Sequence, residues 1–164
     1  IKSYLMVLES KLLPDTSKIT IYPSSRKFYP QEVAEIKLKI ESFLSNWDVS
    51  TEINTSYLFK YDRFIIFLID DSKKAISLSE IDTSVNFIQS LEKEYNVTLL
   101  DRINVCYKQG DFVQYKELKE FKKMVKNKSV SEKTTVFNNL INTKEELTTN
   151  WEINILDSWL DRLF

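Results

Sequence analysis

The feature that most constrains the fold is an uninterrupted apolar run, Phe64 to Ile69, inside the stretch YDRFIIFLIDD at positions 61–71. A strand with one solvent-facing side alternates apolar and polar residues, and this run does not. Its β-branched and aromatic residues and its short length favour a strand covered on both faces, although a buried helical segment is an alternative. The rest of the chain is therefore expected to supply two layers of cover.

The overall composition indicates one globular domain, 1–164, because 164 residues with 43% hydrophobic side chains can bury a substantial core. The formal net charge of −1 gives no molecule-wide signature for nucleic acid or acidic membranes. A single cysteine, Cys106, permits no intrachain disulfide and predicts a cytoplasmic protein. No stretch reaches the length of a membrane span, and Ile1 to Leu13 lacks a clean signal-peptide core, so no membrane insertion is expected.

Two residue types that enzymes commonly use are scarce. The sequence contains no histidine, which removes the commonest general base and metal ligand together. It contains one glycine, Gly110, whereas a phosphate-binding loop of the Walker type needs several. Hydrolysis of nucleotides by a P-loop is therefore excluded, and we expect no bound metal or cofactor.

Periodicity predicts an α+β fold. Before residue 108 the pattern favours strand, helix, strand, strand, helix, strand, at positions 18–22, 30–47, 53–60, 64–69, 79–96 and 102–107. Pro30 suits the start of the first helix, and Ser79 with Asp82 has the pattern of a capped start for the second. This order is that of a ferredoxin-like βαββαβ core with an antiparallel-rich sheet.

The chain then divides into a leading segment, 1–17, without predicted regular structure, the core 18–107, and an extension, 108–164. The extension begins with a hairpin at Gly110 and a helix, 116–126, with Leu118, Phe121 and Val125 inward. Because a ferredoxin-like sheet leaves one face bare, we expect the hairpin and tail, or a partner subunit in a homodimer, to cover it. Segment 136–141 fits either a strand or a helix.

The tail adds a second capping pattern and a set of apolar anchors. Thr143 and Glu146 are spaced as a capping box. The anchors expected to dock on the core are Trp151, Ile155, Trp159, Leu160, Leu163 and Phe164.

Several stretches resemble a family of small uncharacterised bacterial proteins that sometimes carry the label "ABC transporter ATPase". They are IYPSSRKF, YDRFIIFLID, EIDTSVNFIQSLEKEY, LLDRINVCYKQG, FKKMVKNKSVSEKTTVFNNLI and SWLDRLF. The resemblance spans most of the chain from about Leu8. It implies homologues and no mechanism, because these motifs carry no known chemistry.

Four carboxylates form the first candidate site. Asp70, Asp71, Glu80 and Asp82 flank the end of the central strand and the start of the next helix, where they could line an acidic cleft, bind a divalent cation or act as acid and base. The alternative, which we favour, is that they cap the helix and stabilise turns.

Basic residues form the second candidate site. Between Asp101 and Lys128 the sequence has eight Lys and Arg against four Asp and Glu, so this part carries a local charge of +4. Such a face could bind phosphate or an acidic partner, whereas a solvated helix face is the more conservative interpretation. The candidate residues are Lys116, Lys119, Lys123, Lys126, Arg63 and Arg102.

Cys106 is a third candidate, as a thiol whose pKa Arg102 and Lys108 could lower. A small buried hydrophobe is the favoured interpretation, because no histidine is present to activate it. An RNA-recognition sheet is disfavoured, since Phe64 and Phe67 fall on opposite faces of one strand.

The sequence as a whole predicts a non-catalytic binding or scaffold module that acts through protein–protein contacts or as a homodimer. A carboxylate-based, metal-dependent hydrolase is one alternative. A nucleic-acid or polyanion binder acting through the basic helix 116–126 is the other, and nucleic acid is the less favoured partner.

Overall fold

The computed structural model describes residues 9–164, so residues 1–8 of the predicted leading segment lie outside it. The elements in this part are β1 (Lys18–Pro23), α1 (Pro30–Asn46), β2 (Asn54–Lys60), β3 (Phe64–Asp70), α2 (Leu78–Tyr95), β4 (Val105–Gln109), β5 (Phe112–Lys116), α3 (Leu118–Lys126), β6 (Thr135–Phe137), α4 (Glu146–Thr149) and β7 (Glu152–Asn154). Short 3-10 turns occupy Ser10–Leu12, Ile155–Asp157 and Trp159–Leu163. None of the helices in this part is both long and apolar enough to cross a bilayer.

The strands form two antiparallel sheets, which confirms the α+β prediction. The first sheet has the order β1-β3-β2 and the second the order β5-β4-β6-β7. The ferredoxin-like topology is not confirmed, because β4 pairs with β5 and β6 instead of joining β1. Along β4, Cys106 packs on one side and Val105 and Tyr107 on the other, so this strand is buried on both faces inside a second sheet.

The central strand β3 is covered on both faces, as its sequence predicts. Ile65 and Phe67 point into a cluster with the apolar sides of α1 and α2. Phe64, Ile66 and Leu68 point the other way, into a cluster shared with the second sheet and the C-terminal segment. Because the chain itself supplies both layers, the packing argument for a homodimer no longer holds.

A third cluster completes the layers. The outer face of the second sheet, with Val105 and Tyr107, packs against Phe121 of α3 and against Ile155 and Leu160 of the C-terminal turns. The prediction that Leu118, Phe121 and Val125 face inward is confirmed. The molecule therefore has four layers: helices α1 and α2, the first sheet, the second sheet, and α3 with the C-terminal turns.

Several predicted boundaries were wrong, each for a local reason. The second helix is capped by Ser77 and Glu80, not by Ser79 and Asp82, because each side chain of that pair accepts the other's backbone N–H. Strand β4 begins at Val105 and not at residue 102, since the Asp101 carboxylate accepts the Ile103 N–H and holds a turn there.

Predictions for the extension, 108–164, also differ from the structure. Helix α3 begins at Leu118 rather than at residue 116, because Lys116 still pairs with Val105 in the sheet. The ambiguous segment 136–141 contributes to a short strand, β6. Glu146 does accept the Thr143 N–H, but the Thr143 hydroxyl donates to the same carboxylate and does not cap a backbone N–H.

One connection between layers had no counterpart in the sequence analysis. Arg26 donates to both oxygens of Glu32 at 2.9 and 3.0 Å and to the Tyr95 carbonyl at 2.9 Å. Glu32 in turn accepts the Tyr29 N–H at the start of α1. A single guanidinium therefore joins the N-terminus of α1 to the C-terminus of α2.

Trp151 should carry much more of the stability than Trp159, because it is 4% exposed against 37%. Trp151→Ala is expected to lower the free energy of unfolding by about 3–5 kcal/mol, and Trp159→Ala by no more than about 1 kcal/mol. Urea unfolding followed by circular dichroism measures both. Equal losses would contradict the assignment of Trp151 to the core between the sheets.

The Arg26–Glu32 pair should make stability depend on pH. The bond from Arg26 lowers the pKa of Glu32, so its contribution is present above the ordinary carboxyl pKa and lost as the pH falls below it. Glu32→Gln is expected to cost about 1 kcal/mol at pH 7 and less at pH 3, because the contribution of the pair is lost as Glu32 becomes protonated.

Urea unfolding at the two pH values measures this difference. Glu52→Gln is the control, since Glu52 is exposed and has no ion pair within residues 9–164. A cost of Glu32→Gln that did not change with pH would exclude the ion pair as its cause.

Candidate functional site

Three of the four candidate carboxylates form hydrogen bonds with neighbouring groups. Asp70 accepts the Ser72 N–H, and Asp71 accepts both the Lys18 ammonium and the Ile76 N–H. Glu80 caps α2, and Asp82 is exposed on the same helix. Burial raises the pKa of Asp71, but the Ile76 N–H and Lys18 together lower it below the ordinary value.

Across the described part of the chain, no group of three or more carboxylate, thiol or imidazole side chains could hold a metal ion. The metal-site hypothesis therefore gains no support at these positions.

The candidate basic residues do not form one surface with a single role. Lys116, Lys119, Lys123 and Lys126 are exposed, and Lys123 pairs with Glu120 on its own helix at 3.3 Å. Of these four, only Lys116 lines a groove beside α3. Arg102 is exposed in the loop before β4.

Arg63 and Cys106 lie in the interior. Arg63 is only 7% exposed and donates to the Ser24 carbonyl at 2.9 Å. Burial lowers the pKa of Arg63, an effect that Cys106 and Tyr115 partly oppose. Cys106 is buried beside it, and burial raises the pKa of this thiol to about 12. These two residues are core groups and cannot contact a ligand at the surface.

The hairpin between β2 and β3 sets up a different site. Tyr61 and Asp62 have positive φ angles of 56° and 50°, and the Arg63 N–H donates to the Lys60 carbonyl at 3.0 Å. These are the features of a type I′ turn, in which glycine or asparagine is usual. A tyrosine in the left-handed region is strained, by about 1–2 kcal/mol.

The Tyr61 ring compensates for this strain by packing on an aromatic cluster. Its centroid lies 5.5 Å from that of Phe137 and 6.1 Å from those of Phe64 and Trp151. Such pairs each contribute about 0.5–1.5 kcal/mol beyond simple burial. The ring is therefore held at a defined position although it is 40% exposed.

Beside this ring lies a cleft of about 640 Å³, within the usual size of small-ligand and peptide pockets. It lies between the end of β2, the leading segment and the segment around α4. Its lining residues are Asp15, Leu58, Lys60, Tyr61, Lys144, Glu145, Leu147, Thr148, Trp151 and Glu152.

Backbone bonds hold the far wall of the cleft in place. The Lys144 N–H donates to the Ser17 carbonyl and the Glu145 N–H to the Asp15 carbonyl, at 2.9 and 3.0 Å. The Lys144 ammonium donates to the Leu13 carbonyl at 2.7 Å. The α4 segment is thereby attached to the leading segment, so the cleft is largely preformed.

A polar cluster forms one end of the cleft. The Tyr61 hydroxyl donates to Glu152 at 2.8 Å, and Lys108 also pairs with Glu152. The Lys108 ammonium lies 5.4 Å from the centroid of the Tyr61 ring. Burial first, and then Glu152, raises the pKa of Tyr61, while Glu152 raises the pKa of Lys108. Both groups are therefore kept protonated and suit recognition rather than proton transfer.

The cleft was not predicted from the sequence. Its residues come from three separated parts of the chain, and their types are unremarkable in isolation. The available signal was Trp151, which the sequence predicts only as an anchor of the tail on the core.

Cys106 should be unreactive in the folded protein. With a pKa near 12, roughly one molecule in ten thousand carries the thiolate at pH 8, and the sulfur is buried as well. A disulfide reagent that releases a coloured thiol should react with less than a tenth of the protein in native buffer and with one equivalent in guanidinium chloride. Rapid reaction of the native protein would restore the reactive-thiol hypothesis.

No family model matches the sequence, and no curated protein or solved structure shows significant similarity to it. The resemblance to small bacterial proteins therefore stays a prediction, and the interpretation of the cleft depends on its own geometry.

Proposed function

We propose that this protein is a binding module whose cleft beside Tyr61 accepts a short segment of a partner protein. The observation that carries the proposal is the cleft itself, which has a volume of about 640 Å³ and is lined by both apolar and charged side chains. Backbone bonds hold one wall and an aromatic cluster holds the other. We also propose that the protein is cytoplasmic, in line with its single, unpaired cysteine.

The chemistry of the lining favours a peptide over a polyanion or a purely apolar ligand. Leu58, Leu147 and Trp151 provide apolar surface for one inserted side chain. Two lysines and three carboxylates surround this surface, so neither sign of charge dominates. A peptide supplies an apolar side chain together with backbone groups and charges of both signs, which matches this arrangement.

A catalytic role has less support from the same residues. The hydroxyl of Tyr61 is bound to Glu152, and that of Thr148 donates to the Glu145 carbonyl at 2.9 Å. The Thr148 hydroxyl is bound to a carbonyl, which is not a base, and Glu152 is itself ion-paired with Lys108, which weakens it as a base for activating Tyr61. The hydrolase alternative would require groups that this cleft does not bring together.

Thr148 and its neighbour Thr149 offer a matched pair of variants. Both are exposed, but only Thr148 lines the cleft, so Thr148→Trp fills the cleft and Thr149→Trp adds the same side chain outside it. Peptides selected against the wild-type protein from a displayed random library should bind Thr148→Trp about tenfold or more weakly. Their affinity for Thr149→Trp should be unchanged.

Fluorescence anisotropy with the selected peptides measures the three affinities, and thermal melts show that both variants fold. Failure to select any peptide, or equal binding to Thr148→Trp, would overturn the proposal. Saturable self-association that Thr148→Trp abolishes would identify a second copy of this chain as the partner that supplies the segment.

A further inference from the structure

A second depression lies beside the second sheet, on the face of β4 that carries Tyr107. This groove has a volume of about 530 Å³ and runs between the β4–β5 hairpin and the loop after α3. Its lining residues are Tyr107, Lys108, Gln109, Gln114, Lys116, Met124, Lys128, Ser129, Val130, Ser131 and Thr134. They include three lysines and no aspartate or glutamate, unlike the lining of the cleft.

The two exposed lysines of the groove carry uncompensated charge. Lys116 ends β5, and Lys128 follows α3 with a positive φ of 63°. Neither forms an ion pair with any residue from 9 to 164. The third lysine, Lys108, contributes to the lining, but its side chain lies on the opposite face of β4 from Tyr107, where the ammonium pairs with Glu152 beside the cleft. The groove therefore has two lysines without an ion-pair partner among the described residues, although the whole chain has a net charge of −1.

The remaining lining residues supply hydrogen-bond donors and no stacking surface. The amides of Gln109 and Gln114 and the hydroxyls of Ser131 and Thr134 face the same space as the lysines. The aromatic residue of the groove, Tyr107, is only 4% exposed, and its hydroxyl contacts the Met124 sulfur at 3.9 Å. A nucleobase would find no ring on which to stack, whereas a phosphate would find ammonium and amide donors.

From this arrangement we propose that the groove binds a short chain of phosphate groups through Lys116 and Lys128. The site recognises the phosphates and not an attached nucleoside, because its donors suit anionic oxygens and its ring is buried. It lies apart from the cleft and does not depend on the function proposed for that cleft.

Titration calorimetry with inorganic tripolyphosphate, ATP and a single-stranded RNA oligonucleotide tests the proposal. It should be run near physiological ionic strength, where charges more than about 8 Å away are screened. Tripolyphosphate and ATP should bind with affinities within a few-fold of each other. The oligonucleotide should bind more weakly, because it offers isolated phosphodiesters in place of a contiguous chain of phosphates.

Two double variants with the same change in net charge distinguish the groove from the helix face. Lys116→Gln with Lys128→Gln removes two groove lysines, and tripolyphosphate affinity should fall about tenfold or more. Lys119→Gln with Lys126→Gln removes two exposed lysines that do not line the groove, and affinity should stay within twofold. Circular dichroism confirms the fold of each variant.

Four results would overturn the proposal: no tripolyphosphate binding at millimolar concentration, equal losses in the two double variants, ATP binding without tripolyphosphate binding, or tightest binding to the oligonucleotide. The last two would indicate recognition of a nucleoside or of nucleic acid.

Discussion

The burial of β3 on both faces is the constraint on which the rest of this structure depends. Its residues from Phe64 to Leu68 are at most 2% exposed, so each face needs a complete apolar layer. Two helices supply one layer. The other is a second sheet, whose central strand β4 is itself apolar on both sides and needs α3 and the C-terminal turns beyond it. The order of layers follows from this sequence of requirements, since each sheet face must be removed from water.

The same constraint explains a strained turn at the edge of the core. The β2–β3 link has three residues, and its tight turn gives Tyr61 a positive φ. The strain is tolerated because the ring joins Phe64, Phe137 and Trp151, a residue set that connects the first sheet with the second. A functional consequence follows, because this fixed and partly exposed ring forms one wall of the cleft.

The ion pair between Lys108 and Glu152 lies on the cleft side of the second sheet, where the Tyr61 hydroxyl binds the same carboxylate. Lys116 and Gln114, which line the groove, lie on the opposite face of this sheet. The sheet therefore separates the charged groups of the cleft from those of the groove. In contrast, Arg63 and Cys106 are buried, so neither presents a charged or reactive group at the surface.

The sequence by itself determined the double burial of β3, the apolar stripes of α1 and α2, the inward side of α3 and the scarcity of catalytic residue types, because these depend on local periodicity and composition. It could not place β4 in a second sheet, since strand pairing is decided by long-range burial and not by order along the chain. For the same reason the cleft and the groove emerged only from the tertiary structure. Their side chains come from separate segments, and only the packing of one sheet on the other brings Tyr61, Lys108 and Glu152 together.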